Sequence, residues 1–244
     1  NATTMVFPAV LTLRGDGSVD GTVDLPPAGE TPYKTFLTVR NFEQGQVPRT
    51  DLLSNLLIDG GLQEVQINTL AELAASGLYT GIALDYRGVD PPLREDYTRF
   101  VNNLANRLHQ DGKQLAVFVD TPLQQSEDAW ETYGYDWRAI GKAADLVVIP
   151  GSENPLDYAA GGNMEKLLEF ATDEVDRFKV QLRIPAHSVE QSGAYFIPRG
   201  YAEALRPLAG TVTTSGDVLQ PGESVQAGTQ SDIIASPLQF DPAT

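Results

Sequence analysis

The stretch Gly81-Ile82-Ala83-Leu84-Asp85-Tyr86 decides the fold class of this chain, because it is a short, apolar run of the kind that forms a buried strand. Gly77 precedes it as a helix end. Pro91 and Pro92 follow it as the start of a helix that runs to about His109. A buried strand between two helices indicates an α/β protein with a parallel sheet.

The same alternation continues on both sides of that stretch. Further strands are predicted at residues 5–13, 35–41, 114–120, 145–150 and 179–185, with amphipathic helices between most of them. We therefore expect a (β/α)8 TIM-barrel-like fold, with a doubly wound sheet as the alternative. No glycine-rich phosphate loop follows any of these strands, which disfavours a nucleotide-binding sheet.

Composition divides the chain into two parts and excludes several function classes. Residues 5–208 are predicted to form the barrel domain, and residues 209–244 a β-rich insertion or appendage. The chain carries 33 acidic and 17 basic residues, and this negative charge disfavours nucleic acid as a partner. It has no cysteine, so disulfides, thiolate nucleophiles and zinc-thiolate sites are excluded. No apolar run is long enough to span a membrane, and the N-terminus is interpreted as a cut end.

Several segments in order resemble the glycoside hydrolase family 18 barrel, particularly its bacterial cell-wall and spore-germination branch. Thr80 to Arg87 (TGIALDYR) stands where that family has D-G-x-D-x-D-[YW]-E at the end of its fourth strand. Supporting matches are Phe7 to Gly17, Val39-Arg40-Asn41, Tyr135 to Gly141, Ala144 to Val148 and Lys179 to Pro185. The resemblance covers roughly residues 5–187 and implies a barrel that acts on N-acetylated glycans.

The resemblance fails at the residues that carry the family's chemistry. The glutamate that protonates the glycosidic oxygen is replaced by Arg87, and two of the three aspartates are replaced by Thr80 and Ala83. The tyrosine that holds the substrate's acetamido group aligns with Ser152. Family 18 hydrolysis is substrate-assisted and needs an acid for the leaving group. A guanidinium stays protonated at neutral pH and cannot serve as that acid.

The resemblance also implies an incomplete barrel. The family's first strand should precede residue 5, and its last strand should follow about residue 244. Because an open sheet exposes unpaired strand edges, flanking sequence or another chain is expected to complete the barrel.

Asp85 and Arg87 are the first candidate site residues, because side chains two apart on a strand point in the same direction. They are predicted either to contact a ligand at the cleft floor or to form a structural ion pair at the barrel mouth. Glu153, which follows the sixth strand, and Asp120, which ends the fifth, are candidates for a displaced acid, with ordinary loop carboxylates as the alternative. Trp130 and Tyr133, which are predicted to lie in a polar loop, are candidates for stacking on sugar rings.

The segment from Asp16 to Asp24 partly fits a calcium-binding loop. Asp16, Ser18, Asp20 and Asp24 supply oxygens at the required spacing, but Pro27 stands where a bidentate glutamate is needed. A β-turn with solvated carboxylates is the preferred interpretation. No metal or other cofactor is expected.

The predicted function is that of a catalytically inactive or divergent family 18-like domain of an exported bacterial protein, outside the cell or in the envelope. It would bind a glycan or serve as a structural or interaction module. One alternative is an active glycoside hydrolase on chitin or peptidoglycan with a relocated acid such as Glu153. The other is an assembly subunit that pairs with its neighbour through the open barrel edges.

Overall fold

The structure is a computed structural model, and it describes a chain that divides into two units. The first unit comprises residues 1–151 and 157–184, and the second comprises residues 152–156 and 185–244. Within them the described residues are 3–23, 33–43, 45–77, 79–126, 129–193, 195–200, 202–203, 211–214, 225–230 and 237–240.

Strands and helices alternate along the first unit, as the sequence predicts. The strands are β1 (Met5–Val6), β2 (Ala9–Leu13), β3 (Val19–Asp20), β4 (Lys34–Arg40), β5 (Gly81–Asp85), β6 (Gln114–Phe118), β7 (Leu123–Ser126), β8 (Ala129–Glu131), β9 (Leu146–Pro150) and β10 (Val180–Arg183). The helices are α1 (Thr50–Ile58), α2 (Gly60–Ser76), α3 (Arg94–Gln110), α4 (Trp137–Ala143) and α5 (Asn163–Glu174).

The main sheet has the strand order β10-β9-β6-β5-β4-β2-β3, and β1 also pairs with β4. All pairings in it are parallel except that of β2 with β3. Among the described residues no strand joins β10 to the opposite edge, so the sheet does not close. The expectation of a TIM-barrel-like but incomplete fold is confirmed. What would cover the edges stays a prediction.

The two faces of the sheet carry different side chains because strand residues alternate in direction. One face packs against the helices and forms the main core, to which β4 contributes Leu37 and Val39 and β5 contributes Ile82 and Leu84. The opposite face, called the inner face here, holds a small separate apolar cluster. Its members are Phe36, Ala83 and Ala116, with Phe7, Phe118 and Leu146 packed around them.

Local sequence signals set the helix boundaries around this sheet. The break between α1 and α2 falls at Asp59, whose carboxylate accepts hydrogen bonds from the N–H groups of Gly61 and Leu62. A 3-10 turn at Pro91–Leu93 leads into α3, which begins at Arg94. None of the described helices is both long enough and apolar enough to cross a membrane.

The second unit is built from antiparallel strands. A hairpin pairs β11 (Ser188–Ser192) with β12 (Tyr195–Arg199). A three-stranded sheet contains β13 (Thr211–Thr214), β14 (Val225–Gln230) and β15 (Pro237–Phe240). The first unit ends at Ile184, one residue after the last parallel strand ends at Arg183, and antiparallel pairing follows. The predicted domain boundary between residues 208 and 209 stays a prediction.

Candidate functional site

Charged side chains collect on the inner face where the parallel strands end. Continuing the alternation from Phe36, Ala83 and Ala116 places three charged residues on that face, namely Arg40, Asp85 and Asp120. Arg183, at the end of β10, belongs with them because its guanidinium carbon lies 5.9 Å from the ring centroid of Phe118. Carboxyl ends of parallel strands meet at one edge of a sheet, where α/β barrels bind ligands.

Asp85 and Arg87 form the ion pair that the strand period predicts. Arg87 Nε donates to Asp85 Oδ1 at 2.9 Å, and a second, longer contact joins Arg87 Nη2 to Asp85 Oδ2 at 3.4 Å. The Asp85 side chain is only 9% exposed, whereas that of Arg87 is 32% exposed. The buried carboxylate is therefore compensated by a guanidinium that still reaches solvent.

Asn41 holds the backbone of Arg87 in place. Its side-chain amide donates to the Arg87 carbonyl oxygen and accepts from the Arg87 N–H, both at 2.9 Å. Asn41 is 1% exposed, so this double hydrogen bond is protected from water. The sequence showed Asn41 only as the end of a predicted strand and contained no signal for this contact across 46 residues.

Phe42 joins two of the arginines. The guanidinium carbon of Arg87 lies 4.9 Å from the centroid of its ring, and that of Arg40 lies 5.4 Å from it. Each distance is within the range of a cation–π contact. The sequence did not identify Arg40 or Phe42 as candidate site residues. Which residues of different strands share a face depends on the sheet register, and the sequence alone does not give that register.

Asp120 organises the loop that follows β5. Its Oδ2 accepts the Gly88 N–H at 2.8 Å and lies 3.0 Å from the Tyr135 hydroxyl. The same hydroxyl lies 2.8 Å from the Tyr86 carbonyl oxygen, so its single proton is shared between two acceptors. Burial raises the pKa of Tyr135 well above its usual range, and the Asp120 charge acts in the same direction. Tyr135 therefore stays neutral and acts as a hydrogen-bond donor.

Replacing Tyr135 by phenylalanine tests that network. Removal of the hydroxyl leaves the Tyr86 carbonyl and Asp120 with fewer partners, and we expect a loss of about 1–2 kcal/mol in the free energy of unfolding. The matched control is Tyr97→Phe, because the Tyr97 hydroxyl is buried with no hydrogen-bond partner among the described residues. Urea melts should show Tyr97→Phe at least as stable as the unchanged chain. Equal losses in both variants would contradict the assignment.

Arg183 brings a third guanidinium to the inner face. Partial burial lowers its pKa, and the Arg87 charge acts in the same direction, while the Asp85 and Asp120 carboxylates oppose the shift. Arginine nevertheless remains charged at physiological pH. Arg183 lay inside a segment matched to the family's seventh strand, but nothing in the sequence marked it as a site residue.

A shallow pocket of about 280 Å³ lies beside Asp120 and is lined by Gly88, Val89, Asp90, Pro91, Asp120 and Tyr133. Tyr133 has a positive φ of 53° and is 38% exposed. Its N–H donates to Glu131 Oε1 at 2.7 Å, and its carbonyl accepts from Arg94 Nη1 at 3.2 Å. The structure thus brings two of the predicted ligand residues, Asp120 and Tyr133, to one pocket.

Trp130 lies on strand β8 of the β7–β8 hairpin, not in a polar loop as the sequence suggested. Its ring stacks on Phe170, with centroids 5.5 Å apart and planes 18° apart. One face of the indole is therefore covered by this contact. A ligand role for Trp130 stays a prediction.

Ser152 and Glu153 belong to the second unit. The Ser152 hydroxyl oxygen accepts the Asn154 N–H at 3.0 Å, which closes a local turn. Glu153 Oε1 lies 4.0 Å from His187 Nε2, and the Glu153 side chain is 59% exposed. Most of this carboxylate side chain is therefore open to solvent. The proposed acid role of Glu153 stays a prediction.

The calcium candidates are engaged in local contacts. Asp16 Oδ1 accepts from the N–H and hydroxyl of Ser18, at 3.0 and 2.6 Å, as in a side-chain-closed turn. Asp20 pairs with Arg14 at 2.5 Å. Asp24 lies outside the described residues. In the part of the chain that is described, no three acidic or histidine side chains converge as metal ligands.

The fold and the position of the charged cluster define the class of this domain. It has a parallel α/β sheet, helices on one face, and polar residues at the strand ends of the other. This is a family 18-like barrel fold.

Comparisons with known proteins agree with that fold. An uncharacterized glycosylase, YvbX of Bacillus subtilis, is 24% identical over 178 residues, covering 69% of this chain and 51% of that protein. The spore cortex-lytic enzyme SleL of Bacillus megaterium superposes with a TM-score of 0.73 at 19% identity, covering 98% of this chain and 58% of SleL. The chitinase-like agglutinin of Robinia pseudoacacia gives a TM-score of 0.66 at 14% identity, covering 87% and 76% of the two chains.

These matches are distant. No family model matches the chain. The chain spans between 35% and 51% of the length of the curated relatives it matches. These matches establish the fold of the chain but not its activity.

Proposed function

We propose that this chain is a glycan-binding domain with a family 18-like fold that does not hydrolyse glycosidic bonds by the family's mechanism. The observation that carries the proposal is the ion pair between Arg87 and the buried Asp85. At the strand end where a transferable proton is required, the chain holds a permanent cation. That cation also neutralises Asp85, the one aspartate that remains of the motif.

The neighbouring groups do not replace the missing acid. Burial raises the pKa of Tyr135 above its usual range, and this makes the phenol a poorer proton donor. Asp120 accepts two hydrogen bonds from its surroundings. Each side chain holds the loop around Gly88, and this role supports binding rather than proton transfer.

The relatives support a role with carbohydrates. One is named as a glycosylase, one as a spore cortex-lytic enzyme and one as a chitinase-like agglutinin. The last name describes a binding protein, so binding without hydrolysis is compatible with this fold. Because the relatives include spore cortex-lytic enzymes, we also propose that the domain lies outside the cell or in the envelope of a bacterium.

In the proposed binding mode, Tyr133 offers an exposed ring beside the pocket at Asp120.

Two assays test the proposal. The purified chain is expected to release no chromophore from a chitobioside substrate above the buffer rate, yet to be retained by insoluble chitin or peptidoglycan. Tyr133→Ala should weaken retention at least several-fold, by analogy with bases stacked on aromatic side chains, where the contact contributes about 1–3 kcal/mol. Tyr195→Ala is the matched control, since Tyr195 is an exposed aromatic residue of the second unit.

Hydrolysis by the unchanged chain would overturn the proposal. If that hydrolysis then disappeared in Glu153→Gln, the alternative of an active glycoside hydrolase with a relocated acid would replace it. Retention that is equal in Tyr133→Ala and in the unchanged chain would contradict the proposed binding mode.

A further inference from the structure

We infer that Arg40, Arg87 and Arg183 form a subsite for an oxyanion carried by the bound saccharide, such as a sugar carboxylate. This inference rests on the proposed glycan-binding function and names the chemistry of its ligand. It depends on the convergence of three guanidinium groups at one edge of the sheet.

Contacts to common groups show the convergence. Arg40 and Arg87 both lie against the ring of Phe42. Arg183 lies against Phe118, which belongs to the apolar cluster of the inner face. All three residues therefore occupy the same face, at the carboxyl ends of β4, β5 and β10.

The positive charge of the cluster is only partly balanced. Arg87 forms an ion pair with Asp85, but neither Arg40 nor Arg183 forms one among the described residues. The Arg40 guanidinium makes one long hydrogen bond within the described residues, from Nη2 to the Ala9 carbonyl oxygen at 3.4 Å. Asp120 already accepts from Gly88 and Tyr135. An incoming anion would complete the balance.

The charge of the rest of the chain makes this cluster unusual. The formal net charge is −16, yet three arginines and two aspartates give this edge of the sheet a local surplus of positive charge. Like charges repel, so gathering guanidinium groups costs free energy unless a ligand offsets it. This surplus favours an anionic ligand over a neutral one at this edge.

The geometry suits an oxyanion better than a neutral hydroxyl. Guanidinium groups donate in a planar fork that matches carboxylate or phosphate oxygens, and aromatic rings hold Arg40, Arg87 and Arg183 in position. Thr38, two residues before Arg40 on the same face, has a buried hydroxyl with no hydrogen-bond partner among the described residues. It supplies a further polar group below the arginines.

Three N-acetyl sugars distinguish the possible ligands. N-acetylmuramic acid carries a carboxylate that N-acetylglucosamine lacks, and N-acetylglucosamine 6-phosphate carries a phosphate. In chemical-shift titrations the unchanged chain is expected to bind N-acetylmuramic acid about tenfold more tightly than N-acetylglucosamine, since one charge-assisted hydrogen bond supplies about that factor. Arg183→Gln should reduce this tenfold preference to about equal affinities.

Arg107→Gln is the control variant, because it removes the same charge from a residue of α3 that pairs with Asp111. It should keep the full preference. If N-acetylglucosamine 6-phosphate also binds tightly and this binding depends on Arg183, the subsite accepts phosphate as well. If that sugar binds no more tightly than N-acetylglucosamine, the subsite is specific for carboxylate. Equal affinities for the acidic and neutral sugars, or an unchanged preference in Arg183→Gln, would overturn the inference while the binding function stands. Failure to bind any of these sugars, chitin or peptidoglycan would overturn the proposed function itself.

Discussion

Gly81→Ala is expected to unfold the first unit under conditions in which the unchanged chain is folded. A Cβ atom at position 81 would lie 1.8 Å from the Gln114 carbonyl oxygen and 2.6 Å from its carbonyl carbon. Gly81 pairs with Gln114 in the register of β5 and β6, two central strands of the sheet. The obstruction is backbone, so no side-chain rotation can relieve it, and the strands must separate.

The expected cost is large compared with the stability of a domain. Loss of this pairing should exceed about 4 kcal/mol, against a total of about 5–15 kcal/mol for a typical domain. The measurement is a urea melt followed by circular dichroism. Gly60→Ala is the control, because a Cβ there meets no atom within 4 Å at the first residue of α2. It should be neutral or stabilising by up to about 1 kcal/mol. If both variants melt alike, the register of β5 and β6 is wrong.

Arg87→Gln is expected to destabilise the fold more than Asp85→Asn does. Without the guanidinium, the Asp85 carboxylate loses its ionic partner. Its side chain is only 9% exposed, so water cannot replace that partner well. Breaking a buried pair in this way costs about 3–5 kcal/mol. Because a third of the Arg87 side chain is exposed, solvent reduces the expected cost to about 2 kcal/mol. Asp85→Asn should cost about 1 kcal/mol, because the freed guanidinium can turn towards water.

The double variant measures the pair itself. Asp85→Asn together with Arg87→Gln removes both charges, so its loss should be smaller than the sum of the single losses by about 0.5–3 kcal/mol. Urea melts of the four proteins without ligand provide the comparison. Strictly additive losses would show that the two side chains act independently, and the structural ion pair would then have no energetic support.

Much of the fold follows from local sequence patterns. The apolar run at Gly81 to Tyr86 and the helix after Pro91 appear where they were predicted, because strand burial and helix starts are decided by neighbouring residues. The pairing of Asp85 with Arg87 was also within reach of the sequence, since it needs only the two-residue period of a strand.

Contacts between distant elements could not be predicted in this way. Trp130 stands among polar residues in sequence, but its environment is set by Phe170 on α5. Asn41 gives no sign of holding the backbone of Arg87, because that contact depends on the register between β4 and β5. The same applies to Asp120, whose partners come from two other segments.

The sequence by itself determined that residue 87 is a permanent cation, because the protonation chemistry of an arginine belongs to its side chain and needs no neighbours. Only the tertiary structure decided that Arg40 and Arg183 share a face with it. That convergence depends on how strands far apart in the chain are ordered and aligned. Shifting the register of a strand by one residue would turn its side chains to the opposite face.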